Sequence, residues 1–202
     1  MSAQSTMNVY LNWARERLHE MDAALGSLGV KAAETEAASK VKAQEIITDL
    51  KKRRSELEAL LKTHAEAGDA ALANAKTELD QHWAGFESQM KAYFDTAGKQ
   101  AEQQQAAFKD IAAAQAKAWR ESTDRFREAA TKVTTAGTTD VDAVLKQLKA
   151  DAAQAAAHLE ALKQTGAQSW SVFSAALSES RKAFDGANQA AWNALKGPSP
   201  KG

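Results

Sequence analysis

The side chains best suited to chemistry are few and scattered. Four histidines, His19, His64, His82 and His158, are spread over the 202-residue chain. Glu16 and His19 form one Glu-x-x-His step, the unit that di-iron helical bundles use twice beside two further inward glutamates. A second copy is missing, since Glu78 and His82 stand four apart and no glutamate pairs with His64 or His158 at that spacing. The step therefore predicts a solvated ion pair on a helix face rather than a metal ligand set. Cysteine is absent, which removes thiolate nucleophiles, disulfides and Cys-based metal sites. No Gly-rich phosphate loop occurs, and no serine sits in a G-x-S-x-G turn. These residues predict a non-enzymatic protein with no catalytic residue, cofactor or metal.

Lys51-Lys52-Arg53-Arg54 is the densest basic run. Such a run can meet phosphates or anionic headgroups, but Asp49, Glu56 and Glu58 flank it at helical spacing, which predicts an ion-paired surface. Over the whole chain 26 basic residues balance 26 acidic ones. That balance removes the clustered positive charge on which nucleic-acid affinity rests, so nucleic acid is not an expected partner. Residues 1–97 carry 12 basic and 15 acidic side chains and residues 98–202 carry 14 and 11. The opposite signs favour weak attraction between the halves, or to a second copy.

The elements that must hold these residues are helices. Alanine accounts for 46 residues, and only 43 larger apolar side chains accompany it. So little bulk argues against a sandwich or a doubly wound sheet and for burial along thin helical seams. The only prolines are Pro198 and Pro200, leaving the rest of the chain free of the strongest helix breaker. Leu11, Ala14, Leu18, Met21, Leu25 and Leu28 alternate steps of three and four, as in a coiled-coil seam. Ala43, Ile46, Leu50, Leu57 and Leu60 keep that spacing, interrupted at Arg53. Leu72, Leu79, Phe86 and Tyr93 recur every seven residues beside Trp83 and Met90; Ala112, Trp119, Phe126 and Val133 do so too, as do Trp170, Leu177, Phe184 and Ala191.

Breaks are sparse: Gly68-Asp69, the stretch Thr134 to Asp140, and Gly197-Pro198. They predict one elongated all-α domain over 1–202, an antiparallel bundle of three coiled-coil-like helices at 6–66, 69–133 and 140–196. Each would be about 60 residues and about 90 Å long. A competing segmentation follows from Leu57-Glu58-Ala59-Leu60, which returns as Leu159-Glu160-Ala161-Leu162. If this marks an internal duplication of 1–97 in 98–196, Gly166 is also a bend and the helices are shorter and more numerous. Stretches 112–118 and 150–157 are almost continuous alanine, and such small side chains supply little area to lock a register.

Five tryptophans are more than a coiled coil requires. Trp83, Phe86, Met90, Tyr93 and Phe94 cluster on one helix, Trp119 and Phe126 on another, and Trp170, Phe173, Leu177, Phe184 and Trp192 on a third. These side chains suit two roles: knobs filling the seam between Ala-rich helices, or a partner-binding face laid on a membrane or apolar granule when the bundle opens.

Tyr10 to Phe94, with Tyr-Leu-x-Trp-Ala-x-x-x-Leu-x-x-Met-Asp-Ala, the segment Ile47 to Leu57 and the later Trp83/Phe86 stretch, resembles small bacterial coiled-coil proteins of undefined function. Phe108 to Leu195, with Ala-Trp-Arg-Glu-Ser, a short Thr/Gly linker and a following Ala-rich amphipathic helix, resembles phasins, which coat polyhydroxyalkanoate granules and self-associate. The phasin resemblance implies a granule-surface role, contacts through the aromatic face and no catalytic residue. The expected partners are thus a second copy, an apolar granule or lipid surface, or a protein. Two alternatives are a coiled-coil scaffold or adaptor and a membrane-shaping BAR-like dimer. The N-terminus lacks a basic and apolar leader, and no window approaches 18 consecutive apolar residues; a cytoplasmic location, peripheral to a granule or membrane, is expected.

Overall fold

In the computed structural model, residues 3–32, 37–65, 69–96, 100–133, 141–164 and 169–195 are described. Among them all but Gln100, Ser169 and Leu195 are helical, and none is in a strand. The helices are α1 (Ala3–Ala32), α2 (Ala37–Ala65), α3 (Asp69–Thr96), α4 (Ala101–Val133), α5 (Val141–Gln164) and α6 (Trp170–Ala194).

The all-α class stands, but three rods of about 60 residues do not. Among the described residues six helices of 24 to 33 residues take their place; the segments 33–36, 97–99 and 165–168 between them lie outside the described residues. The segments 66–68 and 134–140, where breaks were expected, also lie outside them. Ala33-Glu34-Thr35-Glu36 contains neither glycine nor proline, so nothing local announces that boundary. Shorter helices fold back and bury their apolar stripes within one chain, a gain in area that helix propensity alone does not register.

Helices α1, α2 and α3 pack on one another, as do α4, α5 and α6, and α1 joins the two groups by lying against α4 and α6. Partner registers give the directions. Asn12 meets Ser122 while Glu20 meets Gln115, so α1 and α4 are antiparallel. Phe108 meets Phe173 and Phe126 meets Trp192, so α4 and α6 are parallel. The accessible surface is 10799 Å², against about 9200 Å² for a compact globular protein of this mass.

The heptad positions turn inward as spaced. Ala14, Met21 and Leu28 are buried on α1, with Leu11, Leu18 and Leu25 packed at the margin. Ala43, Ile46, Leu50 and Leu57 are buried on α2, and Leu79, Phe86 and Tyr93 on α3. Ala112, Trp119 and Phe126 are buried on α4, as are Trp170, Leu177, Phe184 and Ala191 on α6. The side chains of His64, Leu72 and Val133 lie outside the described set. Among the described residues no helix is long and apolar enough to cross a membrane.

Candidate functional site

The twelve aromatic and apolar residues singled out from the sequence are all buried, and they fall into two clusters. Trp83, Phe86, Met90, Tyr93 and Phe94 of α3 join Trp170, Phe173 and Leu177 of α6 in the larger one. Phe94 stacks on Trp170 with ring centroids 4.1 Å apart, and Phe173 stacks on Phe108 at 4.4 Å. Trp119 and Phe126 of α4 join Phe184 and Trp192 of α6 in the smaller one. Here the rings meet edge to face, Trp119 with Phe184 at 5.1 Å and Phe126 with Trp192 at 5.8 Å. In this packed state the rings are seam knobs, and only an opened state presents them to a partner.

Between the seams runs a layer of buried charge that the heptad reading passes over. The Arg17 guanidinium lies 4.9 Å from the Trp13 ring centroid and 5.6 Å from that of Trp83, while Arg181 lies 4.9 Å from Trp83. Arg17 pairs with its neighbour Glu16 and donates to Asp185 at 2.8 Å. Arg181 donates to Glu20 at 2.7 Å and pairs with Glu87. The Gln115 amide donates to Glu20 and to the Leu177 carbonyl, both at 3.0 Å. The layer thus ties α1 to α3, α4 and α6.

A second, mostly neutral layer lies further along the same helices. The Asn12 amide donates to Asn188 at 2.9 Å and to Ser122 at 3.2 Å, Asn188 donates to the Val9 carbonyl at 3.0 Å, and Arg125 donates to Asn12 at 2.6 Å. His19 of the Glu-x-x-His step sits 3.1 Å from Glu121, while Glu16 turns inward to Arg17. The two halves of that step serve different partners. His82 lies 3.4 Å from Glu56 and His158 lies 3.8 Å from Glu179. Among the described residues no set of three His, Asp or Glu side chains converges as a metal site.

Burial pushes the Glu16 carboxyl well above the ordinary range, and repulsion from Glu20 adds to it against the pull of Arg17. Burial also raises Asp185, with Arg17 opposing. Arg17 itself is raised: burial acts to lower it, but Glu16, Asp185 and Glu20 together outweigh that. Tyr10 is pushed up to about 12 by burial and then by Glu78. Glu121 ends up lowered, because His19 and Arg125 overcome the effect of burial. The cavity beside Glu20, Trp83 and Arg181 holds about 40 Å³, room for a water rather than a substrate. This layer ties the helices together at fixed register.

A signal for these residues was present in the spacing. Gln115 and Ser122 occupy seam positions between Ala112, Trp119 and Phe126, and Arg181 and Asn188 do so between Leu177, Phe184 and Ala191. Polar residues at seam positions specify which helices pair and in what register, at a cost in stability. Lys51 to Arg54 behaves as expected of an ion-paired surface: Lys52 meets Glu56, Arg53 meets Asp49 at 2.7 Å, and Arg54 meets Glu58 and reaches Asp22 of α1 at 2.7 Å.

No family model, curated protein or solved structure matches this chain.

Proposed function

We propose that this is a non-enzymatic association protein that coats an apolar granule or lipid surface, in phasin fashion, by parting α5 from α4 and α6. The observation that carries this reading is the asymmetry of the smaller cluster. Trp119, Phe126, Phe184 and Trp192 form an apolar face on two parallel helices, covered by α5 through two buried side chains, Leu148 and Ala155, with Val141, Val144, Leu145 and Ala152 only partly buried against it. Exposing this cover costs on the order of 5 kcal/mol, a sum that contact of the aromatic face with an apolar surface offsets. The larger cluster stays closed and keeps the chain folded.

Flotation tests the reading. The protein is mixed with phospholipid vesicles or with polyester granules, and the buoyant fraction is assayed while Trp fluorescence is followed. Recovery with the buoyant phase and a changed Trp spectrum is expected, and Leu148→Ala with Leu145→Ala increases it by weakening the cover. Recovery only in the aqueous phase with an unchanged spectrum rejects surface coating. A stable dimer that does not float is the outcome expected of a helical scaffold or adaptor instead.

A further inference from the structure

The groove between α4 and α5 has features that seam packing leaves unused. It holds about 480 Å³, within the usual range of small-molecule pockets. Its lining extends along α4 from Ala112 to Arg127, about 22 Å at the helical rise. Its walls are alanines from the two Ala-rich stretches, with Leu159 and the Trp119 ring. Four cations border it. Arg127 is paired with Asp124 at 2.7 Å and Lys163 with Glu160 at 2.8 Å. Arg120 and Lys149 have no carboxylate partner among the described residues. Trp119 Nε1 and Ser180 Oγ belong to buried side chains that line the same groove, yet neither atom makes a hydrogen bond. They come from two helices, α4 and α6, and lie beneath the accessible surface of the groove floor.

We propose that this groove binds a single-chain anionic amphiphile, a long-chain carboxylate such as laurate. Its alkyl chain lies along the alanine walls, and its carboxylate is neutralised by Arg120 and Lys149. A slot bounded by two helices of one chain accepts one alkyl chain, whereas a bilayer or granule requires a broad face. The unpaired cations select an anionic head over a neutral one.

The experiment titrates the full chain with laurate below its micellar concentration, by calorimetry and Trp fluorescence. Saturable one-to-one binding is expected, weakened about tenfold or more by Arg120→Gln with Lys149→Gln. Ala116→Leu with Ala156→Leu fills the groove and abolishes binding, and a thermal melt verifies that this variant folds. The charge variant changes only exposed side chains, so it serves if the filled one does not fold. Absence of saturable binding, indifference to the charge variant, or equal affinity for dodecanol overturns the proposal. Vesicle flotation run in parallel keeps the two readings apart: flotation without laurate binding defeats the groove and leaves surface coating intact, and laurate binding without flotation does the reverse.

Discussion

The two halves of the interior are built from the same residue types and packed to different standards. Around α1 to α3, four helices converge on α1 and large rings close the gaps, so that Phe86, Tyr93, Phe94, Phe108 and Phe173 have essentially no exposed surface. Around α5 the Ala-rich stretch 150–157 faces the Ala-rich stretch of α4, and grooves of about 480 and 370 Å³ flank the helix. Alanine lets helices approach closely but brings too little volume to fill the space between three of them. One half is therefore a fixed core and the other a covered seam.

The largest test of that contrast is core truncation. Phe173→Ala in the larger cluster is expected to lose about 3–5 kcal/mol, because a rigid surround cannot collapse into the cavity. Leu148→Ala on α5, in the smaller cluster, loses about 2 kcal/mol, near the low end for such changes, because the grooves beside α5 leave neighbouring space. Urea unfolding measures both, and equal losses would erase the distinction. Amide exchange offers the same comparison without mutation: α5 should exchange well ahead of α1.

Next in size is the charge layer. Arg181→Ala removes the partner of Glu20 and Glu87 and is expected to cost about 3–5 kcal/mol, the usual penalty for stranding a buried charge. Replacing Glu16 acts the other way. Its folded pKa is raised, so the folded state holds a proton that the unfolded state releases near the ordinary value of 4.5. The stabilisation is complete below that value and is lost as pH rises through the folded pKa; Asp185 contributes in the same direction. Glu16→Gln should therefore flatten the decline in unfolding free energy as pH rises above the ordinary value of 4.5 and raise stability at the upper end. Denaturation at several pH values reads this, and an unchanged slope would remove Glu16 from the explanation.

The smallest effects lie on the surface. A methyl group at Gly29 or Gly186 meets no atom within 4 Å. Alanine at either helix-interior position should add about 0.5–1 kcal/mol. Gly85 differs, since its added carbon would overlap the Arg53 guanidinium, a flexible group that must swing aside. Gly85→Ala should thus gain less than the other two in the same melts.

Much of the seam was legible because burial on a helix repeats at a fixed step. The run from Trp170 through Leu177 and Phe184 to Ala191 faces inward as its spacing required. The charge layer was harder to see, because an arginine at a seam position reads equally as an interruption and as a buried partner. Arg181 becomes interpretable only when α1 brings Glu20 to it. The boundary at 33–36 was illegible for a related reason: no residue there breaks a helix, and the fold is chosen by what α1 and α2 bury against each other.

Residue types and periodicity alone determined that this chain is helical, that its bulky side chains form stripes, and that its Ala-rich segments pack thinly. These follow from local propensity and from the geometry of one turn, which any isolated segment carries. Tertiary structure alone decided that the described residues form six helices rather than three, that the aromatic stripes find partners within the chain, and that Arg17 and Arg181 sit beside Trp83. Those outcomes depend on contacts between residues far apart in sequence, whose favourable burial exists only once the helices have met.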